Sequence, residues 1–259
     1  MPGLVDSHCH LDRLDLEPYN NSFEKLVQDT IESGVEHMLC VCIDTENYQS
    51  MLSLVEDYPT ISVSVGVHPN DQERHEPEPE ELATLANHPK NLAIGETGLD
   101  YFRSEGDLSW QQDRFRRHIQ AAKLCNKPLI IHTRDAREDT IRIMQEEGAG
   151  ECGGVMHCFT ENWDMASKAL DMGFYLSFSG IITFNSAKDL REVVKKVPEE
   201  RLMIETDAPY LAPVPKRGKP NYPAYVRYVA ECMAETRDIS FEEIARITKE
   251  NFKRLFKPG

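Results

Sequence analysis

The sequence predicts an α/β fold, a single (β/α)8 barrel with extra C-terminal helices, and three observations carry that expectation. Short apolar segments alternate with helical ones, the signature of a parallel sheet covered by helices. No GxGxxG follows the first apolar segment, so the main sign of an open dinucleotide-binding sheet is missing. A chain of 259 residues suits a barrel folded as one domain, 1–259.

The strand segments, in order, are 3–6, 38–43, 61–67, 92–95, 129–131, 154–156, 175–178 and 202–204. They are brief, apolar and often β-branched, as strands buried on both faces are. Helical patterns cover 23–33, 46–57, 111–125, 139–147, 163–172 and 187–196, and two more follow the last strand at 224–236 and 241–256. Asp44 stands where it could N-cap the second helix, and Ser240 where it could cap the last. Gly34, Gly148 and Gly173 fall where helix ends need a left-handed residue. The acidic run 76–81 is expected to be a surface loop entering a helix, and 214–223 another loop.

Composition narrows the class. The net charge is −15, from 29 Lys and Arg against 44 Asp and Glu, which argues against a broad basic surface. There is no apolar run near the roughly 20 residues that cross a bilayer. The N-terminus, MPGLVDSHCHLDRL, has neither the basic nor the apolar region of a signal peptide, so a cytoplasmic enzyme without membrane contact is expected. The seven cysteines are scattered with no CxxC pair, which fits reduced, mostly buried thiols rather than a disulfide scaffold or zinc knuckle. Cys40 and Cys42 should share one face of a strand.

The chemistry lies where the strands end. His8 and His10 form an H-x-H at the first strand end, and alternation puts both imidazoles on one side. Glu96 follows the fourth strand, His132 the fifth, His157 the sixth, and Glu205 and Asp207 the eighth. In a barrel these ends share one rim, where active sites lie. Singly, each has a structural explanation: a hydrogen-bonded core histidine, a capping glutamate, or a carboxylate paired with an arginine across the rim. Together they point to divalent metal. His68 reaches the same rim and could be a ligand, a general acid or a substrate contact. His37, His75, His88 and His118 are expected to be structural.

The segments DSHCHL at 6–11, GVHP at 66–69, GETGLDYF at 95–102, IHTRDA at 131–136, HCFTE at 157–161, SFSGIITF at 177–184, ETDAPYLAP at 205–213 and RGKPNYP at 217–223 occur in order. In them the chain resembles the TatD family of metal-dependent deoxyribonucleases. The resemblance implies a TIM barrel of the amidohydrolase-like superfamily and a site for two divalent metal ions. By motif, His8, His10, Glu96 and Asp207 would hold one ion and Glu96, His132 and His157 the other, with Glu96 bridging. It also implies 3′–5′ exonuclease-like cleavage of DNA, typically with magnesium. By ligand type zinc or manganese would serve as well.

Glu96 and Asp207 are the expected catalytic residues, Asp207 touching both the first metal and the attacking water. Arg134 could pair with a phosphate oxygen, and Arg217, between Lys216 and Lys219, could receive a nucleic-acid backbone or lie on a solvated loop. Tyr101 and Phe102 could stack a base or pack beneath a loop, and Glu205 is grouped with the substrate contacts. The acidic balance points to single strands or DNA ends held by few contacts, with a monomer as the default state. Two other readings compete. A binuclear amidohydrolase for a small amide or ester would carry a carboxylated lysine where Glu96 stands. A non-catalytic metal-binding protein would be suggested by a lost ligand, and none is lost.

Overall fold

The computed structural model describes residues 3–70 and 72–258. Its strands are β1 (Leu4–Cys9), β2 (Val35–Cys40), β3 (Ile61–Val65), β4 (Asn91–Asp100), β5 (Leu129–Arg134), β6 (Gly154–Met156), β7 (Tyr175–Phe178) and β8 (Leu202–Ile204). They form one sheet in chain order with parallel neighbours throughout. The helices are α1 (Phe23–Glu32), α2 (Tyr48–Val55), α3 (Pro79–Leu85), α4 (Ser109–Cys125), α5 (Arg137–Glu146), α6 (Trp163–Asp171) and α7 (Lys188–Lys196) between strands, then α8 (Val226–Arg237) and α9 (Phe241–Phe256). This is the predicted TIM barrel with C-terminal helices.

The sheet curls until its two edges meet just beyond β8. Cys9 bridges Ala208, the His10 N–H donates to the Ala208 carbonyl at 2.8 Å, and the Asp207 N–H donates to the His8 carbonyl at 2.9 Å. Closure therefore falls on the residues that the sequence singles out for metal.

Strand alternation divides the core in two. Val5, Leu39, Val41, Leu92, Ala93, Ile130, Val155, Tyr175 and Met203 make a cluster joined from outside the sheet by Phe252 and Phe256 of α9, which marks it as the barrel interior. The larger cluster combines alternate strand residues such as Leu4, Met38, Val63, Ile131 and Leu176 with the apolar faces of the helices. α9 stoppers the N-terminal end: Asn251 donates to the Leu202 carbonyl at the start of β8 at 2.8 Å, and Phe252 packs on His37 of β2. The opposite end is left to polar side chains.

Several boundaries differ from the sequence reading. β1, β4 and β5 run on to Cys9, Asp100 and Arg134, so His8, Glu96 and His132 lie within strands rather than after them. The ladder outlasts the apolar run because Gly98 pairs with His132 and Asp100 with Arg134 regardless of side-chain polarity. β2 begins earlier, at Val35, and stops at Cys40, leaving Cys42 beyond the strand, although both thiols do belong to the outer cluster. α2 starts at Tyr48 with Asn47 at its cap position. Asp44 is not the cap; its Oδ1 accepts the Asn47 N–H at 2.8 Å in the preceding turn. Ser240 caps α9 through the Glu243 N–H at 3.1 Å, and the acidic run leads into α3. Gly148 and Gly173 take φ of 64° and 85° after their helices.

Candidate metal centre

Five strands, β1, β4, β5, β6 and β8, deliver the central residues because alternate side chains at the C-terminal end of a barrel strand face the axis. Glu96 on β4 lies in the middle. Its Oε2 is 3.4 Å from His8 Nε2 and 3.8 Å from His10 Nε2, both from β1 or its end. Its Oε1 is 2.8 Å from His157 Nε2, beyond β6, and 3.1 Å from His132 Nδ1 of β5. Asp207, past β8, adds its Oδ1 at 3.7 Å from His8 Nε2 and 3.4 Å from His10 Nε2. The two carboxylate oxygens of Glu96 thus face two separate donor sets.

The donor chemistry fits cations. His8 Nε2 and His10 Nε2 approach to 3.4 Å, and His132 Nδ1 and His157 Nε2 to 3.3 Å. Nitrogens each about 2.1 Å from one tetrahedrally bound ion stand about 3.4 Å apart. Three groups among these side chains could hold metal: His8, Glu96 and His157, all buried; His8, His10 and the partly exposed Asp207; and Glu96 with the partly exposed His68 and His132.

The outer nitrogens are oriented. His10 Nδ1 lies 2.8 Å from the Val41 carbonyl, His132 Nε2 3.2 Å from Asp100 Oδ2, and His157 Nδ1 3.2 Å from Glu205 Oε1. Each faces an oxygen that accepts, so the outer nitrogen carries a proton and the inner nitrogen is the one that would offer its lone pair to a cation. His8 Nδ1 is buried and meets no partner among the described residues. Gly98 permits the close approach of β4 to β5, since a Cβ there would stand 2.0 Å from the His132 carbonyl oxygen. Asp6 ties the β1 and β8 ends together by accepting the Thr206 N–H at 2.9 Å and the His8 N–H at 3.3 Å.

The electrostatics follow from burial against pairing. Burial favours the neutral form of Glu96, but His157, His68 and His8 outweigh it and hold the carboxyl well below its usual range. Burial also works against protonation of His157, yet Glu96 and Glu205 drive its pKa well up. His8 is lowered by burial. Burial raises Asp6 to about 8 despite its hydrogen bonds.

The expected substrate contacts divide. His68 Nε2 lies 3.4 Å from Glu96 Oε1, at the centre. Arg134 stacks its guanidinium carbon 3.8 Å over the Phe102 ring, which is 60% exposed. Arg217 sits 4.3 Å over Phe184. Tyr101 is turned away: its hydroxyl donates to Asp139 at 2.8 Å and accepts from Gln112 at 2.8 Å, leaving Phe102 as the open aromatic face. Glu205 is not placed to touch substrate. It is wholly buried and uses Oε1 on His157 and on the Cys158 N–H at 2.9 Å, because it lies beneath the strand ends rather than above them.

Two features escaped the sequence reading. Asp100 orients His132, and its signal was available: on β4 it stands four residues from Glu96, hence on the same face. His118 of α4 accepts the Val67 N–H at 2.9 Å beside His68, and nothing in its helical context announces that.

The fold and this donor set define a TIM-barrel metal-dependent hydrolase. The family model for TatD related DNases matches residues 5–257, and the chain belongs to the TatD family. It is 48% identical over 254 residues to the uncharacterized metal-dependent hydrolase YcfH of Escherichia coli strain K12, covering 98% of this chain and 95% of that one. It is 32% identical over 240 residues to the 3′-5′ ssDNA/RNA exonuclease TatD of Salmonella typhimurium strain LT2, covering 90% and 92%. The crystal structure of YJJV, a TatD homolog from Escherichia coli K12, superposes with a TM-score of 0.87 at 27% identity over 98% of both chains.

Proposed function

We propose that this protein, acting as one domain over residues 1–259, hydrolyses phosphodiester bonds of DNA from the 3′ ends of single strands. One observation carries the reading: the two oxygens of Glu96 face different donor sets, as a carboxylate bridging two ions would. His8, His10, Glu96 and Asp207 would hold one cation, and Glu96, His132 and His157 the second, magnesium first among candidates with manganese and zinc also suited. Bound there, the cations would supply an activated water and a stabilised leaving oxygen.

The protein's own groups do the rest. Asp207, 14% exposed against 3% for Glu96, would accept a proton from the attacking water. Arg134 and Arg217 meet phosphate, and Phe102 offers a face on which a base stacks. The nuclease reading draws on the likeness to the Salmonella exonuclease. A monomer in the cytoplasm is the expected form, and no helix among the described residues is long and apolar enough to cross a membrane.

The test is hydrolysis of 3′-labelled and 5′-labelled single-stranded oligonucleotides by metal-stripped protein, with magnesium, manganese or zinc restored and Glu96→Ala alongside. Stepwise, metal-dependent loss from the 3′ end, absent in the variant, is expected. No cleavage by protein that binds two ions would move the activity to a small phosphoester or amide.

A further inference from the structure

Position alone would admit His68 as a metal ligand, since its Nε2 joins Glu96 and His132 in one group. Its other nitrogen decides otherwise. Nδ1 accepts the backbone N–H of Asn70 at 3.1 Å. A neutral imidazole has one lone pair and one N–H, so with the Nδ1 lone pair turned to Asn70 the proton resides on Nε2. A nitrogen that carries a proton cannot coordinate. His10, His132 and His157 have the reverse arrangement, with their outer nitrogens toward oxygens.

Resting on the phosphodiesterase reading, we propose that His68 is a fixed hydrogen-bond donor to a non-bridging phosphoryl oxygen of the substrate, and not a metal ligand. Among the described residues the acceptor it faces, Glu96 Oε1, is 3.4 Å away, beyond the distance of a good N–H···O bond, about 2.7–3.2 Å. The donor is therefore under-used among the described residues. The side chain is 19% exposed against 3% for Glu96, so an incoming oxygen has access.

The turn that presents His68 is held from α4. His118 Nδ1 lies 2.8 Å from the Arg114 carbonyl and so bears the proton, which leaves Nε2 to accept the Val67 N–H at 2.9 Å. The Arg114 guanidinium donates to the His68 carbonyl at 2.7 Å and pairs with Glu76. Arg114 and His118 are thus positioning residues, one gripping the His68 carbonyl and the other the Val67 N–H.

The test uses His68→Ala and His68→Gln, with His157→Ala as a ligand control. Calorimetric titration with Zn²⁺ alone reads ion number and affinity, oligonucleotide hydrolysis reads kcat and KM, and ¹⁵N NMR of the histidine-labelled, Zn²⁺-loaded protein reads the tautomer. Both His68 variants should bind Zn²⁺ within about twofold of the parent, while His157→Ala loses about 10–100-fold. Turnover of His68→Ala should fall by about 10–100-fold, the worth of a hydrogen bond to a charged group, with partial recovery in His68→Gln, whose amide can donate. The NMR signature should be an Nε2–H. Zn²⁺ loss in His68→Ala equal to that in His157→Ala, a metal-shifted Nε2, or undiminished turnover would each overturn the assignment. If His157→Ala keeps full affinity, the metal-centre reading fails instead, and the tautomer still decides the role of His68.

Discussion

Three histidines and a fourth surround Glu96 but are wired in opposite senses. On the β1, β5 and β6 side, His10, His132 and His157 each turn the outer nitrogen to an oxygen. At the end of β3, His68 turns its outer nitrogen to a backbone N–H. Residue type and distance to Glu96 do not separate them; the partner behind the ring does. The comparison teaches that a histidine's role in such a centre is set by what lies one bond further out.

Glu96 serves both sides, so Glu96→Ala should lower phosphodiester turnover by at least about a thousandfold and weaken binding of every ion, as read by hydrolysis and metal titration. Asp207→Asn should retain some metal yet lose turnover; full activity in this variant would remove Asp207 from the chemistry. The outer partners come next. Glu205→Gln and Asp100→Asn keep shape but weaken the hold on His157 and His132, and each should cost about 10–100-fold in metal affinity. If metal affinity were unaffected, the wiring on the ligand side would be incidental.

Smaller effects probe the substrate side. Phe102→Ala should raise KM for a single-stranded oligonucleotide about tenfold, with KM for a small phosphodiester unchanged. Few phosphate contacts imply a shallow salt dependence, a log–log slope of about −1 to −2; a slope near about −6 would indicate a broad backbone grip that the net charge of −15 does not favour.

The support beneath His68 carries a pH signature. Burial lowers His118 from 6.5 to about 4 in the folded protein. Between those values the unfolded chain binds the extra proton and the folded one does not, so stability is full above about 6.5 and falls as pH drops toward 4. The loss should be on the order of 3 kcal/mol for His118. Denaturant melts across that window should show the decline, and His118→Gln should reduce it. His37, also lowered by burial to about 4, adds in the same sense.

Much of this was legible in the chain. The alternation of apolar strands and helices predicted the barrel, and the His, Glu and Asp residues at strand ends predicted which side chains gather. The strand ends were misplaced because the reading stopped where apolar residues stop, whereas the ladder between β4 and β5 extends through Glu96, Gly98 and Asp100. Backbone hydrogen bonds pair irrespective of the side chains they carry. In sequence Glu205 groups with the substrate contacts, because a carboxylate at a strand end carries no sign of depth; its burial against His157 supplies that sign.

The sequence by itself determined the barrel, its family and the six residues that converge, since strand period and motif order are local properties of the chain. Only the tertiary structure decided which nitrogen of each histidine holds the proton. That depends on partners such as Val41 for His10, Asp100 for His132 and Glu205 for His157, brought from 31, 32 and 48 positions away by closure of the barrel. It decided equally that α4, through His118, reaches 51 positions back to grip the turn at His68. A hydrogen bond spanning such separations leaves no periodic trace in a sequence, because only folding brings its two ends within reach.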